Sequence, residues 1–457
     1  MKKGVLLLLG LVLSVSVFSQ DITGSWSGIL DVGYTKLPLV FTFSEKEGAY
    51  SATMDSPTQG AKGIPVTTVN FENAKLTFTI VNAGVTYEGM WQNDSIAGTF
   101  TQRGMSFPLN LSRSTGDITS MKRQQDPEQP YPYNSEDLRF ENKEADVMLA
   151  GTLTWPKEGG NFPAAVLVTG SGPQNRNEEL LGHKPFLVLS DYLTRNGIAV
   201  LRYDDRGVAE SGGNYSTAAL EDFATDAAAA VNYLKTRKEI NPKKIGVIGH
   251  SSGGAITFML ASEQNNDLAY IVSMAGPGIK GDSLMRMQRN LLANAAGIPD
   301  AQVEQNEMLI TIAAGIANQY SNEYIMQNID KLTNENLPES LIENETIKMA
   351  LQQAIKQMTS PEIKSLMNFN PSDVLSKIIC PVLALNGEKD LQVSADINLN
   401  RIKALVKGPV SIQKYSGLNH LFQHSTTGFP SEYGSIEETI DPQVLEDIAK
   451  WINQVVR

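Results

Sequence analysis

Gly249-His250-Ser251-Ser252-Gly253, followed by Gly254, lies between the apolar run Ile245-Gly246-Val247-Ile248 and a helix-forming stretch from Ala255 to Ala261. A serine with a glycine two residues away on each side, a strand before it and a helix after it is the pattern of a tight turn holding a hydroxyl outward. Small flanking residues are needed because the chain passes close to itself there. The chemistry this permits is nucleophilic attack on an acyl carbon. The spacing fits neither a Walker loop nor a dinucleotide fingerprint, so a phosphate cradle at a helix start is set aside.

A serine hydroxyl is a weak nucleophile near neutral pH and needs a base within hydrogen-bond reach and an acid to orient that base. With the chain order serine, acid, histidine, only His420 and His424 are available as the base, because no other histidine follows Ser251. His420 closes Tyr415-Ser416-Gly417-Leu418-Asn419-His420, a loop leaving the last expected strand, and is the first choice; His424 is the second. The acid belongs on the turn Asn386-Gly387-Glu388-Lys389-Asp390, with Asp390 preferred over Glu388. A tetrahedral intermediate also needs preorganised N–H donors. Ser252 supplies one, and Ser171, in Thr169-Gly170-Ser171-Gly172-Pro173, supplies the other, with Gly172 as the alternative. Asp204-Asp205-Arg206-Gly207 reads as an ion-pair brace. Asn175 to Glu179 and His183-Lys184 read as solvated loop residues beside the pocket. No cluster has metal-ligand spacing along the chain, and no cofactor is implied.

These groups require a sheet with its strand ends on one rim. Expected strands are Met148 to Leu153, Ala164 to Thr169, Ile198 to Tyr203, Ile245 to Ile248, Ala269 to Met274, Val382 to Asn386 and Val410 to Tyr415, alternating with helices. Phe223, Ala227, Ala230, Val231 and Leu234 recur at helical spacing, and the last helix opens at Asp441-Pro442. The alternation predicts a mostly parallel sheet covered on both faces. From about residue 279 to 368 it gives way to helical sequence with scattered methionines, which predicts a cap over the site; the methionines read either as an adaptable apolar wall for an acyl group or, at least as readily, as fillers of ordinary helix-packing gaps.

Upstream, residues 21–113 hold short β-prone runs between Gly, Asn, Asp and Pro, which predicts a small antiparallel, lipocalin-like barrel with Trp26 plugging one end. Residues 114–134 turn polar and proline-bearing and read as a linker, leaving 135–457 as the catalytic domain. Lys2 and Lys3 precede an uncharged apolar run from Val5 to Val17, too short for the roughly twenty residues of a spanning helix, so residues 1–20 read as a secretory signal peptide. The expectation is an exported protein, periplasmic or extracellular, with no membrane span after cleavage.

Across 457 residues, 41% are hydrophobic and 19% charged, which is ordinary globular composition. The net charge of -12, or -14 once Lys2 and Lys3 are removed, leaves no basic footprint for nucleic acid. Cys380, the only cysteine, excludes an intramolecular disulfide and reads as a core thiol.

From Ser135 onward the chain resembles bacterial α/β-hydrolase esterases. The strings that carry this are Gly249 to Gly254, Thr169-Gly170-Ser171-Gly172-Pro173-Gln174, Arg202-Tyr203-Asp204-Asp205-Arg206-Gly207 and Asn419-His420-Leu421-Phe422-Gln423. The likeness is to capped, exported esterases related to the prolyl-oligopeptidase and dienelactone-hydrolase-like branches. It implies an α/β-hydrolase fold with helical cap, a triad of Ser251, Asp390 and His420, an oxyanion hole near Ser171 and Ser252, and a small-molecule carboxylic ester as substrate. Asn175 and Asn177 depart from it, standing where aspartates are expected. Two other readings remain at this stage: a serine aminopeptidase or dipeptidyl peptidase, which would need an acidic clamp for the substrate amino terminus, and a non-catalytic ligand-binding protein.

Overall fold

The computed structural model describes residues 21–31, 36–56, 61–92, 95–102, 105–113, 123–263 and 267–457. The signal-peptide reading and much of the linker reading lie outside these residues. The chain divides into two compact units, Met1–Ser120 and Met121–Arg457.

The first unit is a curled antiparallel sheet of β1 (Gly24–Asp31), β2 (Lys36–Lys46), β3 (Ala49–Ser56), β4 (Ala61–Pro65), β5 (Thr68–Glu72), β6 (Lys75–Ile80), β7 (Val85–Gln92), β8 (Ser95–Gln102), β9 (Met105–Pro108) and β10 (Leu111–Arg113). The pairing order is β4-β3-β2-β1-β10-β8-β7-β6-β5, with β9 on β8. The end strands β4 and β5 are consecutive in the chain. Between them, Val66 N–H donates to Ala52 O at 3.0 Å and Thr67 N–H to Thr79 O at 2.7 Å. The sheet therefore curls until its ends meet at one bent stretch, without a ladder between β4 and β5. Alternate residues point inward, as strand geometry dictates, and Trp26, Phe41, Phe43, Phe78 and Tyr87 fill the interior. Trp26 is fully buried and donates from Nε1 to Ile22 O at 2.8 Å.

The second unit holds a mixed sheet of β11 (Asn134–Asn142), β12 (Val147–Trp155), β13 (Phe162–Val168), β14 (Ala199–Tyr203), β15 (Ile240–His250), β16 (Tyr270–Met274), β17 (Val382–Gly387) and β18 (Val410–Tyr415). Their order is β11-β12-β14-β13-β15-β16-β17-β18. β12 runs antiparallel to β11 and β14, and the strands from β14 to β18 are parallel. The central strands are continuous apolar runs because both faces are covered. In β13, Ala164, Val166 and Val168 pack on one core, and Ala165 and Leu167 on the other. The first face is covered by α2 (Leu220–Lys235), α3 (Ser252–Ser262) and α11 (Ala395–Leu405), the second by α1 (Pro185–Arg195) and α12 (Pro442–Val455). β11 was not expected as a strand. Residues 123–126, read as linker, lie on this unit: the buried Arg123 donates to Gly434 O at 2.7 Å and Leu181 O at 3.2 Å.

Between β16 and β17 the chain leaves the sheet to form α4 (Gly281–Ala295), α5 (Asp300–Gln319), α6 (Asn322–Gln327), α7 (Ile329–Asn336), α8 (Glu345–Met358), α9 (Pro361–Asn368) and α10 (Pro371–Leu375). These helices have a core of their own, including Leu309, Ile316, Leu351, Ile355 and Met358. Its two ends meet: Gly281 N–H donates to Phe369 O at 2.9 Å, and a Cβ at Gly281 would stand 1.7 Å from Leu366 O, so only glycine fits. Cys380 is only partly buried, because Ile379 beside it is 79% exposed where the chain enters β17; burial nonetheless pushes the thiol up to about 11. No helix among the described residues is long and apolar enough to cross a membrane.

Candidate active site

Ser251 sits between β15 and α3 with φ 53° and ψ -119°, a conformation that costs on the order of 1–3 kcal/mol for a residue with a side chain. The surrounding sequence explains how it is held. A Cβ at Gly249 would lie 2.0 Å from Gly253 O, and one at Gly253 would lie 2.3 Å from Val168 O. The glycines thus let the turn fold onto itself and onto the end of β13. Ser251 N–H donates to Met274 O at 2.9 Å, anchoring the turn to the neighbouring strand.

Asp390 and His420 come from the loops after β17 and β18. Asp390 Oδ1 accepts from the N–H groups of Gln392 and Val393 at 2.7 and 2.8 Å, which aims Oδ2 at His420 Nδ1, 2.7 Å away. A carboxylate oxygen accepts, so Nδ1 carries the proton and Nε2 is left to take one. The two loops are joined by Lys389 N–H to Leu418 O and Glu388 N–H to Tyr415 O, each 2.8 Å. Gly387 permits this approach, since a Cβ there would sit 2.3 Å from Leu418 O. Asn419, fully buried, accepts at Oδ1 from the N–H groups of Leu421 and Gln423 and so shapes the turn carrying His420. The second choices lie elsewhere. Glu388 is exposed and accepts from Ser416 Oγ at 2.6 Å, which with Gly417 N–H holds its carboxyl below the ordinary range. His424 is 65% exposed, 3.0 Å from Glu438.

In the loop after β13, Gly170 N–H donates to Glu178 Oε1 at 2.8 Å and Gly172 N–H to Glu362 Oε1 at 3.1 Å. Both flanking amides are thus engaged within the protein, and Ser171 between them faces the cavity described below. Ser252 opens α3, so its N–H is among the orphan donors of a helix N-terminus. Asp205 braces the same loop, accepting from Thr169 Oγ1 at 2.7 Å and Gln174 N–H at 2.9 Å; burial drives its carboxyl well above the ordinary range.

Sequence reasoning missed part of this frame. Residues 175–179 are not a solvated loop: Glu178 is buried, and Arg176, 14% exposed, reaches Asp204 at 2.7 Å together with Glu210 and Asp137. Glu178 faces His250 Nδ1 at 2.9 Å, and His250 Nε2 stands 3.1 Å from His420 O. The residue between Gly249 and Ser251 was thus a signal for a second polar contact. Nothing in the local sequence marked Glu362, which arrives from the cap.

Ser251, His420, Ser171 and Ser252 line one cavity of about 300 Å³. The cap supplies Leu284, Met285, Ile363 and Leu366 to its wall. Met285 is the sole methionine lining it among the described residues; Met358 is buried inside the cap, and Met326 and Met349 point to solvent. Gln288 of α4 donates to Gln392 Oε1 at 3.3 Å, linking cap and acid loop. The ligand atoms of His424, Glu438 and Asp441 lie within 4.8 Å of one another, the spacing of a metal site, but none of the three lines the cavity.

A mixed sheet in this order, with a strained serine after its central strand and an Asp–His contact on the loops of the last two strands, defines an α/β-hydrolase. The chain matches the serine aminopeptidase (S33) family over residues 185–425 and belongs to it. It is 26% identical over 316 residues to esterase EstD of Thermotoga maritima, covering 68% of each chain. It is also similar to the solved α/β hydrolase GrgF from Penicillium sp. sh18, at 18% identity and a TM-score of 0.44 over 71% of this chain and 99% of that one. A Pyrococcus furiosus esterase gives 16% identity and a TM-score of 0.42 over 73% and 97%.

Proposed function

We propose that the protein hydrolyses carboxylic esters by two-step acyl transfer on Ser251. His420 takes the serine proton as the hydroxyl attacks the ester carbonyl, and the N–H groups of Ser171 and Ser252 receive the developing oxyanion. The imidazolium then gives its proton to the departing alcohol. Water, deprotonated by the same ring, releases the acid and restores the serine. The observation that carries the reading is the buried Asp390–His420 contact at a cavity that Ser251 also lines.

An ester is favoured over an aminoacyl amide because the cavity offers no vacant carboxylate for an ammonium group. Glu178 is the one carboxylate lining it among the described residues, and it is engaged by Gly170 and His250. The glutamines and apolar cap residues suit a small neutral ester. Hydrolysis of aryl acetate, butyrate and longer esters, with aminoacyl amides alongside, tests this for the wild type and Ser251→Ala. Equal rates for the two proteins would end the proposal, and faster cleavage of the amides would move it to a peptidase. Labelling by a fluorophosphonate separates both from a non-catalytic binder. The charged start and apolar run of residues 2–17 support export, with the periplasm or medium as the place of action.

A further inference from the structure

We infer that Glu178 and His250 form a second acid–base pair that positions the machinery of the ester hydrolysis proposed above, by tying the oxyanion loop, the nucleophile turn and the base loop to one buried imidazolium. The inference rests on that reading of Ser251 and concerns residues that do not take part in the proton transfers.

Three hydrogen bonds define the arrangement. Glu178 Oε1 accepts from Gly170 N–H at 2.8 Å and lies 2.9 Å from His250 Nδ1, while His250 Nε2 lies 3.1 Å from the carbonyl oxygen of His420. A carbonyl oxygen only accepts, so Nε2 must carry a hydrogen. Glu178 Oε1 receives the Gly170 amide, and as an ionised carboxylate, the form we assign to it in this pair, it only accepts, so Nδ1 carries a hydrogen too. A ring protonated on both nitrogens is a cation, paired here with the Glu178 anion. Both side chains are buried, at 8% and 5% exposure, which makes a full set of partners obligatory. Burial alone would push the His250 ring toward neutrality. The charge of Glu178 and the bond to it, with the His420 carbonyl and the Asp390 charge, outweigh that and raise it above its ordinary value.

The contacts link three separate stretches of chain. Gly170 belongs to the loop after β13 and presses against the nucleophile, a Cβ there falling 3.3 Å from Ser251 Cβ and from Glu178 Oε1. His250 precedes Ser251. The ring of His420 stands 4.9 Å from that of His250, and the ring of Phe422 6.5 Å from it. The charged and titratable groups around His250 are therefore Glu178, Asp390 and His420. A displacement of about 1 Å between such segments costs on the order of a hundredfold in rate, so a tie of this kind acts on kcat and leaves binding of a neutral ester nearly unchanged.

The test uses the full chain with Glu178→Gln and His250→Gln, measuring kcat and KM for an aryl butyrate across pH, the thermal midpoint, and fluorophosphonate labelling. Both variants should lose on the order of 30-fold or more in kcat with KM changed less than about threefold. In His250→Gln the remaining Glu178 anion has no cation between it and His420. The acid limb of kcat/KM should then move to higher pH by about half a unit or more, a displacement that a purely structural residue would not produce. Either variant keeping kcat within twofold, or His250→Gln losing activity with an unmoved acid limb, would overturn the inference. Imidazole NMR of the wild type reads the pair without any variant. Two bonded ring N–H protons on His250 near pH 7 are expected, and a neutral tautomer there would equally overturn it. A wild type inert to both ester and fluorophosphonate would instead defeat the reading of Ser251, which these NMR signals do not depend on.

Discussion

Asp390 Oδ2 stands 2.7 Å from His420 Nδ1 with the acid side chain fully buried and the imidazole 5% exposed. The carboxylate sets the tautomer, so Asp390→Asn should present an amide N–H to Nδ1 and move the ring proton to Nε2, the atom that must accept from Ser251. We expect kcat/KM for an aryl ester to fall by about 10³–10⁴-fold with little change in fold. Activity within tenfold of wild type would remove Asp390 from the proposed triad.

Glu362 reaches from the cap to the oxyanion loop. It is 6% exposed, and its Oε1 accepts from Gly172 N–H at 3.1 Å. The nearby Tyr215 hydroxyl, whose acidity burial suppresses, bonds to the same carboxylate. Glu362→Ala should remove the acceptor of the half-buried Gly172 amide, at about 1 kcal/mol, and loosen the loop that carries Ser171. The expected result is a fall of roughly tenfold in kcat, measured beside a melting curve. An unchanged kcat would show that the cap does not order this loop.

Arg202 is a buried cation without a carboxylate ion-pair partner among the described residues. It is 5% exposed, its Nη1 donates to Asn177 Oδ1, its Nε has no hydrogen-bond partner among the described residues, and burial lowers it to about 10. Asn177→Asp places an anion where the amide now accepts, and a charged hydrogen bond is worth about 1.5–3 kcal/mol. Denaturant unfolding at pH 7 should show the variant more stable by up to that amount. The paired Asp has a depressed folded pKa, so the gain is present above its unfolded value near 4 and shrinks as pH falls through the folded one. A loss of stability at pH 7 would contradict this account of Arg202.

His183 is fully buried, with Nδ1 2.9 Å from Thr439 Oγ1 and Nε2 2.9 Å from Tyr433 O. Burial, aided by Arg123, lowers it below its ordinary 6.5. The native state therefore binds fewer protons than the unfolded chain below pH 6.5, and stability falls as pH drops through that range. His250 is shifted upward and acts on the other side, its contribution being lost as pH rises above 6.5. Thermal midpoints between pH 6.5 and 5 should decline in the wild type and decline less in His183→Gln. Parallel slopes would assign the acid sensitivity elsewhere.

The residues legible in the sequence are those whose signal is local. Ser251 announces itself through glycines and a flanking strand and helix, and the central strands through unbroken apolar runs. β11 escaped notice because it is an edge strand in which Phe140 and Asn142 alone are buried, leaving no apolar alternation to read. Glu178 and Glu362 were hidden for another reason: their partners lie 72 and 190 residues away in the chain, and a carboxylate in a polar loop looks the same whether it is solvated or buried. The first unit curls as its alternating short strands imply, and at the seam between β4 and β5 a bent stretch of chain stands in place of a ladder.

The hydrogen bond from Gly281 to Phe369 joins the beginning and end of the helical insertion to each other. A segment anchored that way makes no demand on the order or register of the strands beneath it. It can be lengthened, trimmed or exchanged for another of different lining, provided that the contacts of Gln288 with the acid loop and of Glu362 with the oxyanion loop are kept. Selectivity in such a chain is a replaceable cassette, and a chimera cut at residues 281 and 369 is the natural way to give the same reaction a different clientele.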